Sequence, residues 1–367
     1  MPRLLVITPD FPPAHGGIQR VAYGVATGIE GLDTRVVALA SAGARRFDAG
    51  GELAIRRVPS APRLRGARNL PLNAIALLDA LRFRPDVTLS VHLVASPAAA
   101  AIKRALGTRT VQYFHAKEIA AKPKLAAFAA EHADVVIAVS EYTAGLVKGT
   151  GASPADVRLI SPGVDLPLDP HPLPAGRPTF ITIARLEDRY KGHDVLVRSL
   201  RSIRERVPDV EWAVIGDGPL RPELEALARA EGVAASVRFL GSVSDGERNS
   251  WLRRADLLAM PSRLPGGASA GEGFGIVYLE AASYGKPVVA GNVGGALDAV
   301  ADGETGLLVD PTDVAAVGEA ITRLLLDKEL AARMGAAGAT RAQGFAWPVI
   351  VKRLEAVLLE QAGRARA

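Results

Sequence analysis

The sequence predicts an α/β fold with two doubly wound parallel sheets, and three observations carry that prediction. Short, almost continuously apolar runs alternate with helix-like segments over most of the 367 residues. Runs of this kind are what parallel strands buried on both faces require. The rhythm breaks once, at the proline-rich stretch LPLDPHPLPAGRP (166–178), and then restarts. The chain is also longer than one ordinary core accommodates, so two domains are expected.

Taken in order, the first half reads LLVITP (4–9), a glycine-containing loop, QRVAYGVATGIE, then TRVVALA (34–40) and VTLSVH (87–92). TRTVQYFH (108–115), ADVVIAVS (133–140) and VRLISPGVD (157–165) complete it, with NAIALLDALR (73–82) as an intervening helix. After the linker come TFITIAR (179–185), a helix from about His193 to Val207, EWAVIGDGP (211–219) and a helix near 222–231. VRFLGSV (237–243), a helix near 246–254, DLLAMPS (256–262), PVVAG (287–291) and GLLV (306–309) finish the second half. The tail 345–361 reads as a last helix with one apolar stripe. Expected boundaries are 1–165 for the first domain and 166–345 for the second, with a C-terminal helix over 346–367 packing back on the first.

Composition narrows the function. Apolar residues make up 49% and charged residues 23%, a globular balance. The net charge of +5 suits a polyphosphate ligand or an anionic surface. No aromatic-plus-basic motif accompanies it, so nucleic acid is not an expected partner. With no cysteine, disulfides and thiolate zinc sites are excluded. LLVI near the start is too short for a signal-peptide core, and no stretch approaches 18 apolar residues. The expectation is a cytoplasmic protein.

Several residues look chemical. Gly16 and Gly17 precede a helix, where paired glycines let backbone approach an anion and the helix start offers N–H groups. A tight strand-to-helix turn explains them equally well. Arg185 ends a strand run and Lys191 stands just before a helix, placements that suit a pyrophosphate leaving group. His115 ends another strand run. VIGDGP and FLGSV read as ordinary glycine turns. The stretch GEGFGIVYLEAASYG (271–285) places Gly271, Gly273 and Gly275 ahead of a helix and Glu280 inside an apolar run. A carboxylate there needs a partner, either an internal arginine or the hydroxyls of a ligand. Glu272 and Glu280 do not read as a glycosidase pair, which must flank a scissile bond from opposite sides. No D-x-D or H-x-x-x-H cluster occurs, so helix N-termini with Arg185 and Lys191, rather than a metal, are expected to meet phosphate charge.

Together these residues resemble the family-4 retaining glycosyltransferases. The motifs GG (16–17), ARL…YKGHDVL (184–196), VIGDGP, VRFLGSV, MPS…EGFGIVYLEAASYGKPVVAGNVGG (260–295) and DGETGLLV (302–309) occur in that family's order. The resemblance implies the GT-B fold, two Rossmann-like domains facing across a cleft. It implies that Arg185 and Lys191 hold the donor's diphosphate, and that Glu272 meets the donor sugar. By the same resemblance Glu280 meets the ribose hydroxyls, so the donor nucleotide is expected to supply that carboxylate's missing partner. The amides of Gly273, Phe274 and Gly275 would line sugar and phosphate. Gly16 and Gly17 would approach the phosphates, His115 would stand beside the transferred sugar, and backbone from Gly241 to Val243 would edge the base.

Within the family, TPDFPPAHGGIQR and MPSRLPGGASAGEGFGIVYLEA look closest to actinobacterial mannosyltransferases acting on phosphatidylinositol mannosides. Ser161-Pro162 stands where the family usually reads Pro-Asn, and Arg185 and Lys191 are spaced slightly wider. The implied activity is transfer of a hexosyl group, mannose from GDP-mannose being favoured, to an acceptor hydroxyl such as that of a glycolipid. A UDP-sugar-dependent transferase with a soluble or polysaccharide acceptor is the alternative. The nucleotide sugar is a co-substrate, and no cofactor is expected. Arg63, Arg65 and Arg68 in PRLRGAR would meet anionic head groups if the acceptor is a lipid, placing the protein peripherally at the inner face of a membrane. A solvated basic loop is the competing explanation.

Overall fold

The structure, a computed structural model, describes residues 1–14, 16–59, 69–173, 176–266 and 271–366. Two compact units result: Met1–Gly163 together with Trp347–Ala367, and Val164–Ala346.

Unit 1 runs β1 (Arg3–Thr8), α1 (Gly17–Gly28), β2 (Asp33–Leu39), α2 (Ala44–Asp48), β3 (Ala54–Val58), α3 (Leu70–Phe83) and β4 (Val87–Ser90). It continues with α4 (Ser96–Leu106), β5 (Arg109–Phe114), α5 (Ala116–Ala121), α6 (Pro123–His132), β6 (Val135–Ala138), α7 (Glu141–Lys148) and β7 (Val157–Leu159). Among the described residues its seven strands are all parallel in the order β3-β2-β1-β4-β5-β6-β7. Leu4, Leu5, Val6 and Ile7 of β1 are completely buried, as a central strand covered on both faces must be. No apolar run marks β3, because it is an edge strand whose Arg56 and Arg57 stay half-buried and reach Asp79 and Asp48. At the opposite edge β7 is only three residues long, shorter than the apolar run that suggests it. Pro162 has no N–H for a ladder, and Val164 donates instead to Phe345 O at 2.8 Å.

Unit 2 runs β8 (Thr179–Ile183), α8 (His193–Arg206), β9 (Glu211–Ile215), α9 (Arg221–Ala230), β10 (Val237–Gly241), α10 (Asp245–Arg254) and β11 (Leu257–Met260). Then follow α11 (Ile276–Ser283), β12 (Val288–Gly291), α12 (Ala296–Ala299), β13 (Gly306–Val309), α13 (Val314–Leu326) and α14 (Lys328–Gln343). Its sheet is parallel with order β10-β9-β8-β11-β12-β13. On α8 the residues Val195, Leu196, Leu200 and Ile203 enter the core, while Arg198, Arg201 and Arg206 face water. Trp212 anchors that core, stacked on Phe180 at 5.8 Å, with its indole N–H donating to Thr182 Oγ1 at 2.9 Å.

The last helix, α15 (Trp347–Arg366), belongs to unit 1. Trp347 seats against two glycines: a Cβ on Gly24 or Gly163 would come within 2.7 or 2.3 Å of its ring. Glu355 accepts from the Glu30 N–H at 2.9 Å, and Glu360 pairs with Arg158 at 2.8 Å.

Both sheets reverse strand order beside their first strand, between β1 and β4 and between β8 and β11. In doubly wound sheets the loops leaving the strands at such a reversal form the ligand crevice. In unit 2 those loops carry Arg185, Lys191 and Glu272; in unit 1 they carry Gly16, Gly17 and His92, with His115 one strand further along.

Candidate active site

In unit 2 the loop after β8 makes a single 3₁₀ turn, Arg189–Lys191, ended by Gly192 at φ +80°. Only glycine fits there, because a Cβ would lie 2.3 Å from Pro261 O. That close approach brings the β8 loop against the β11 loop. Across it the Lys191 ammonium donates to Glu272 Oε2. The two side chains are 16% and 15% exposed, which makes this a largely desolvated pair. Burial alone would lower the Lys191 pKa, but the Glu272 carboxylate, aided by Tyr190, outweighs it and holds the lysine above its ordinary value. The Tyr190 ring lies 5.1 Å from Nζ, and burial pushes its phenol up to about 12. Arg185 does not join the pair: it is 68% exposed and sits 3.4 Å from Glu187.

The loop bearing Glu272 enters α11 through Gly275, whose φ of +88° marks the helix start. Phe274 turns inward at 3% exposure, with its ring 5.8 Å from Phe345. Glu272 O accepts from Gly295 N at 2.9 Å, which ties down the backbone around Gly273. Gly241, at φ +71°, ends β10, and its carbonyl accepts from Gly216 N at 2.9 Å. Val243 follows, half-buried, just before α10.

Glu280 lies in α11 at 7% exposure. Its Oε1 accepts from Arg248 Nη1 of α10 at 3.0 Å. The expectation that the donor nucleotide supplies the missing partner is therefore corrected. Of the two kinds of partner left open by the sequence, the internal arginine is the one already present.

In unit 1 Gly16 is the residue before α1 and Gly17 its first residue. Gly16 is extended, and the atom nearest an added Cβ is Gln19 Oε1, the end of a flexible side chain, so the fold itself makes little demand for glycine here. Gln19 in turn donates to Asp10 at 3.1 Å. His115 caps α5, stacks on Tyr113 at 5.3 Å, and directs Nε2 at Val91 O, 3.1 Å away. With a carbonyl there, Nε2 carries the proton, and burial lowers the pKa, so the ring is neutral.

Around His115 lies a cluster that sequence reasoning does not find. Glu118 accepts from the His115 N–H at 3.1 Å through Oε1, and from the Leu93 N–H at 3.0 Å through Oε2. His92 Nδ1 stands 2.8 Å from the same Oε2. The Val94 amide also approaches Nδ1, at 3.2 Å, but the shorter contact to a carboxylate decides that Nδ1 bears a proton. Burial raises the Glu118 pKa, yet His92, His115 and the Leu93 amide hold it below the ordinary value. Burial likewise lowers His92, and Glu118 more than reverses it. Two signals were available: His92 ends a strand run as His115 does, and Glu118 follows His115 by three, the capping-box spacing. Arg63, Arg65 and Arg68 lie outside the described residues. Among the described residues no cluster of three or more His, Asp or Glu is placed to hold a metal, and no helix is long and apolar enough to cross a membrane.

A family profile described as Glycosyltransferase Family 4 matches residues 15–167, and one described as Glycosyl transferases group 1 matches residues 168–341. The GDP-mannose-dependent alpha-(1-6)-phosphatidylinositol monomannoside mannosyltransferase of Mycobacterium tuberculosis is 35% identical across 92% of this chain and 93% of that protein. The chain is a family-4 glycosyltransferase. This glycosyltransferase is also similar to a Corynebacterium glutamicum protein, the GDP-mannose-dependent monoacylated alpha-(1-6)-phosphatidylinositol monomannoside mannosyltransferase. There the identity is 30%, with 97% of each chain covered. Its fold is GT-B, matching the crystal structure of HepE from Anabaena in complex with UDP at a TM-score of 0.82 and 21% identity, over 98% of this chain and 100% of that one. Arg248, the partner of Glu280, carries no sequence signal at all. It stands 32 residues from Glu280 on a different helix.

Proposed function

We propose that this enzyme transfers a mannosyl group from GDP-mannose to a hydroxyl of a phosphatidylinositol mannoside, with retention at the anomeric carbon and without a metal. The observation that carries the reading is the desolvated Lys191–Glu272 pair at the strand-order reversal of the second sheet. Donor and acceptor are inferred from relatives named for that donor and lipid, at 35% and 30% identity.

Unit 2 is assigned the donor. Lys191, with Arg185 and the start of α8, takes the charge of the departing diphosphate, the moment at which fixed positive charge lowers the barrier most. Glu272 receives the sugar hydroxyls. The loop amides of Gly273, Phe274 and Gly275 line sugar and phosphate, Glu280 receives the ribose, and Gly241 to Val243 edge the base. Because Lys191 and Glu272 hold each other in place, both are oriented before the donor arrives, which reduces the reorganisation that binding costs. Unit 1 is assigned the acceptor, with Gly16 and Gly17 reaching the phosphates. His115, its Nε2 proton engaged by Val91, acts there as a neutral wall beside the sugar rather than as a proton carrier. A lipid acceptor puts the enzyme to work at a membrane surface, with Arg63, Arg65 and Arg68 as the contact.

The test combines the purified chain, GDP-mannose and vesicles carrying phosphatidylinositol monomannoside, with EDTA present. The expected result is GDP release only when the acceptor is supplied, and a lipid heavier by one hexose. GDP release without acceptor counts against transfer. Turnover with a UDP-sugar and a soluble acceptor, and none with GDP-mannose, replaces this donor and acceptor with the runner-up pair.

A further inference from the structure

We propose that Arg248 is a positioning residue for the nucleoside: it holds the Glu280 carboxylate in the orientation that reads the ribose hydroxyls and ties that carboxylate to the loop edging the base. This inference rests on the assignment of Glu280 to the ribose under the proposed function and adds a residue and a coupling that the assignment does not contain.

Three observations carry it. First, the contact is a buried, charge-assisted hydrogen bond: Arg248 Nη1 to Glu280 Oε1 is 3.0 Å, with the side chains 17% and 9% exposed. Bonds of this type are among the stronger and more directional ones available to a carboxylate. Glu280 sits one turn into α11 among Tyr278, Leu279, Ala281 and Ala282, all buried, so the helix backbone sets where the carboxylate starts and Arg248 sets where it points.

Second, Arg248 stands at a defined place on α10. Its backbone N–H donates to Ser244 O at 2.9 Å, in the first turn of that helix. Ser244 and Glu247 close a reciprocal cap there, Ser244 N to Glu247 Oε2 at 3.0 Å and Glu247 N to Ser244 Oγ at 3.3 Å. The cap immediately follows Gly241 to Val243. One short helix therefore carries the base-edging loop at its start and, in its first turn, the cation that holds the ribose acid. Displacing either moves the other.

Third, the guanidinium retains polar capacity. Arg248 Nε is buried and has no hydrogen-bond acceptor among the described residues. A structural ion pair that existed only to neutralise Glu280 would be expected to satisfy its own buried donors. A desolvated N–H left over beside a carboxylate assigned to a ligand points to a group completed by that ligand.

The readout is ribose discrimination, which a merely structural role would not move. Binding of GDP and of 2′-deoxy-GDP to the full chain is measured by titration calorimetry for wild type, Arg248→Met and Arg248→Lys. Wild type is expected to favour the ribonucleotide by about tenfold, the size of one charge-assisted hydrogen bond. In Arg248→Met the ratio falls to near one, through loss of GDP affinity with little change for the deoxy form. Arg248→Lys, which keeps the charge but not the planar fork, falls between. An unchanged ratio in Arg248→Met overturns the inference while leaving the donor assignment standing. A wild type that binds GDP without discriminating overturns both the ribose assignment and this inference. If Arg248→Met fails to fold, Arg248→Lys decides alone, since a wild-type ratio there is the overturning result.

Discussion

The two units share the strand order around one reversal, with one more edge strand in unit 1, yet beside that reversal they bury charge in opposite ways. In unit 1 the buried carboxylate Glu118 is met by a titratable imidazole and by backbone amides. In unit 2 Glu272 and Glu280 are each met by a lysine or arginine, Lys191 and Arg248. Unit 2 also buries a histidine whose ring is bonded to no carboxylate, although Asp194 is nearby. His193 is 2% exposed, neither ring nitrogen has a partner among the described residues, and its pKa falls to about 4 through burial and the nearby Lys191 charge. The same strand order thus places a carboxylate–imidazole cluster beside one reversal and carboxylate–cation pairs beside the other. A diphosphate leaving group needs the second kind, because the neutralising charge must be present at every turnover.

The largest effect that tests this contrast is on Lys191 and Glu272. Lys191→Ala is expected to lower kcat/KM by about 100-fold or more, in line with loss of one preorganised charge at a developing anion. Glu272→Ala is expected to lower kcat more than it weakens donor binding, whereas Glu280→Ala mainly raises the donor Kd. Steady-state kinetics with a separate binding titration distinguishes them. Turnover within a few-fold of wild type in Lys191→Ala would remove the leaving-group assignment.

Next in size is stability. Glu280→Ala strands the Arg248 guanidinium in a desolvated position and is expected to cost about 3 kcal/mol. Replacing both partners, Arg248→Met with Glu280→Leu, should cost less than that single change, as read from urea midpoints. A double variant as unstable as Glu280→Ala would mean that packing, not charge pairing, dominates there.

The pH responses of His92 in unit 1 and His193 in unit 2 are predicted to have opposite signs. His92 has a raised folded-state pKa, so its contribution is present below 6.5 and is lost as pH rises through that raised value. His92→Gln should therefore cost most stability in mildly acidic solution and less in alkaline. His193 has a lowered value, so the unfolded chain takes up a proton first, and stability is lost as pH falls from 6.5 to about 4, by up to about 3 kcal/mol. His193→Leu should flatten that fall. Denaturation midpoints across pH 4 to 8 check both, and parallel profiles for the two variants would erase the distinction.

The smallest expected effect lies outside both clusters. An Arg63/Arg65/Arg68→Ser triple variant should co-sediment with anionic vesicles a few-fold less than wild type, because basic residues at a negatively charged surface contribute part of the attraction. Unchanged co-sedimentation would remove these arginines from the acceptor side.

Much of this molecule was legible in its residues. The apolar runs at 4–9, 87–92 and 179–185 became the central strands β1, β4 and β8, because a parallel strand covered on both faces leaves no place for charged side chains and admits only small hydroxyls such as Thr88, Ser90 and Thr182. Edge strand β3 was not legible, since AIRRV faces solvent along one side and needs no apolar run. Glu272 and Glu280 announced themselves by their spacing and their surroundings. Arg248 did not, because a long-range ion pair leaves no local pattern. His92 and Glu118 sat in plain view on two separate segments, and only the parallel pairing of β4 with β5 placed them side by side.

By itself, then, the sequence determined the α/β class, the two halves and the family. Those follow from local periodicity, motif order and the scarcity of charged side chains in buried strands. Tertiary structure alone decided which charge meets which: Lys191 with Glu272, Arg248 with Glu280, His92 with Glu118. The physical reason is that burial obliges a charge to find a partner, while the partner's address is set by strand order and helix packing rather than by any spacing along the chain.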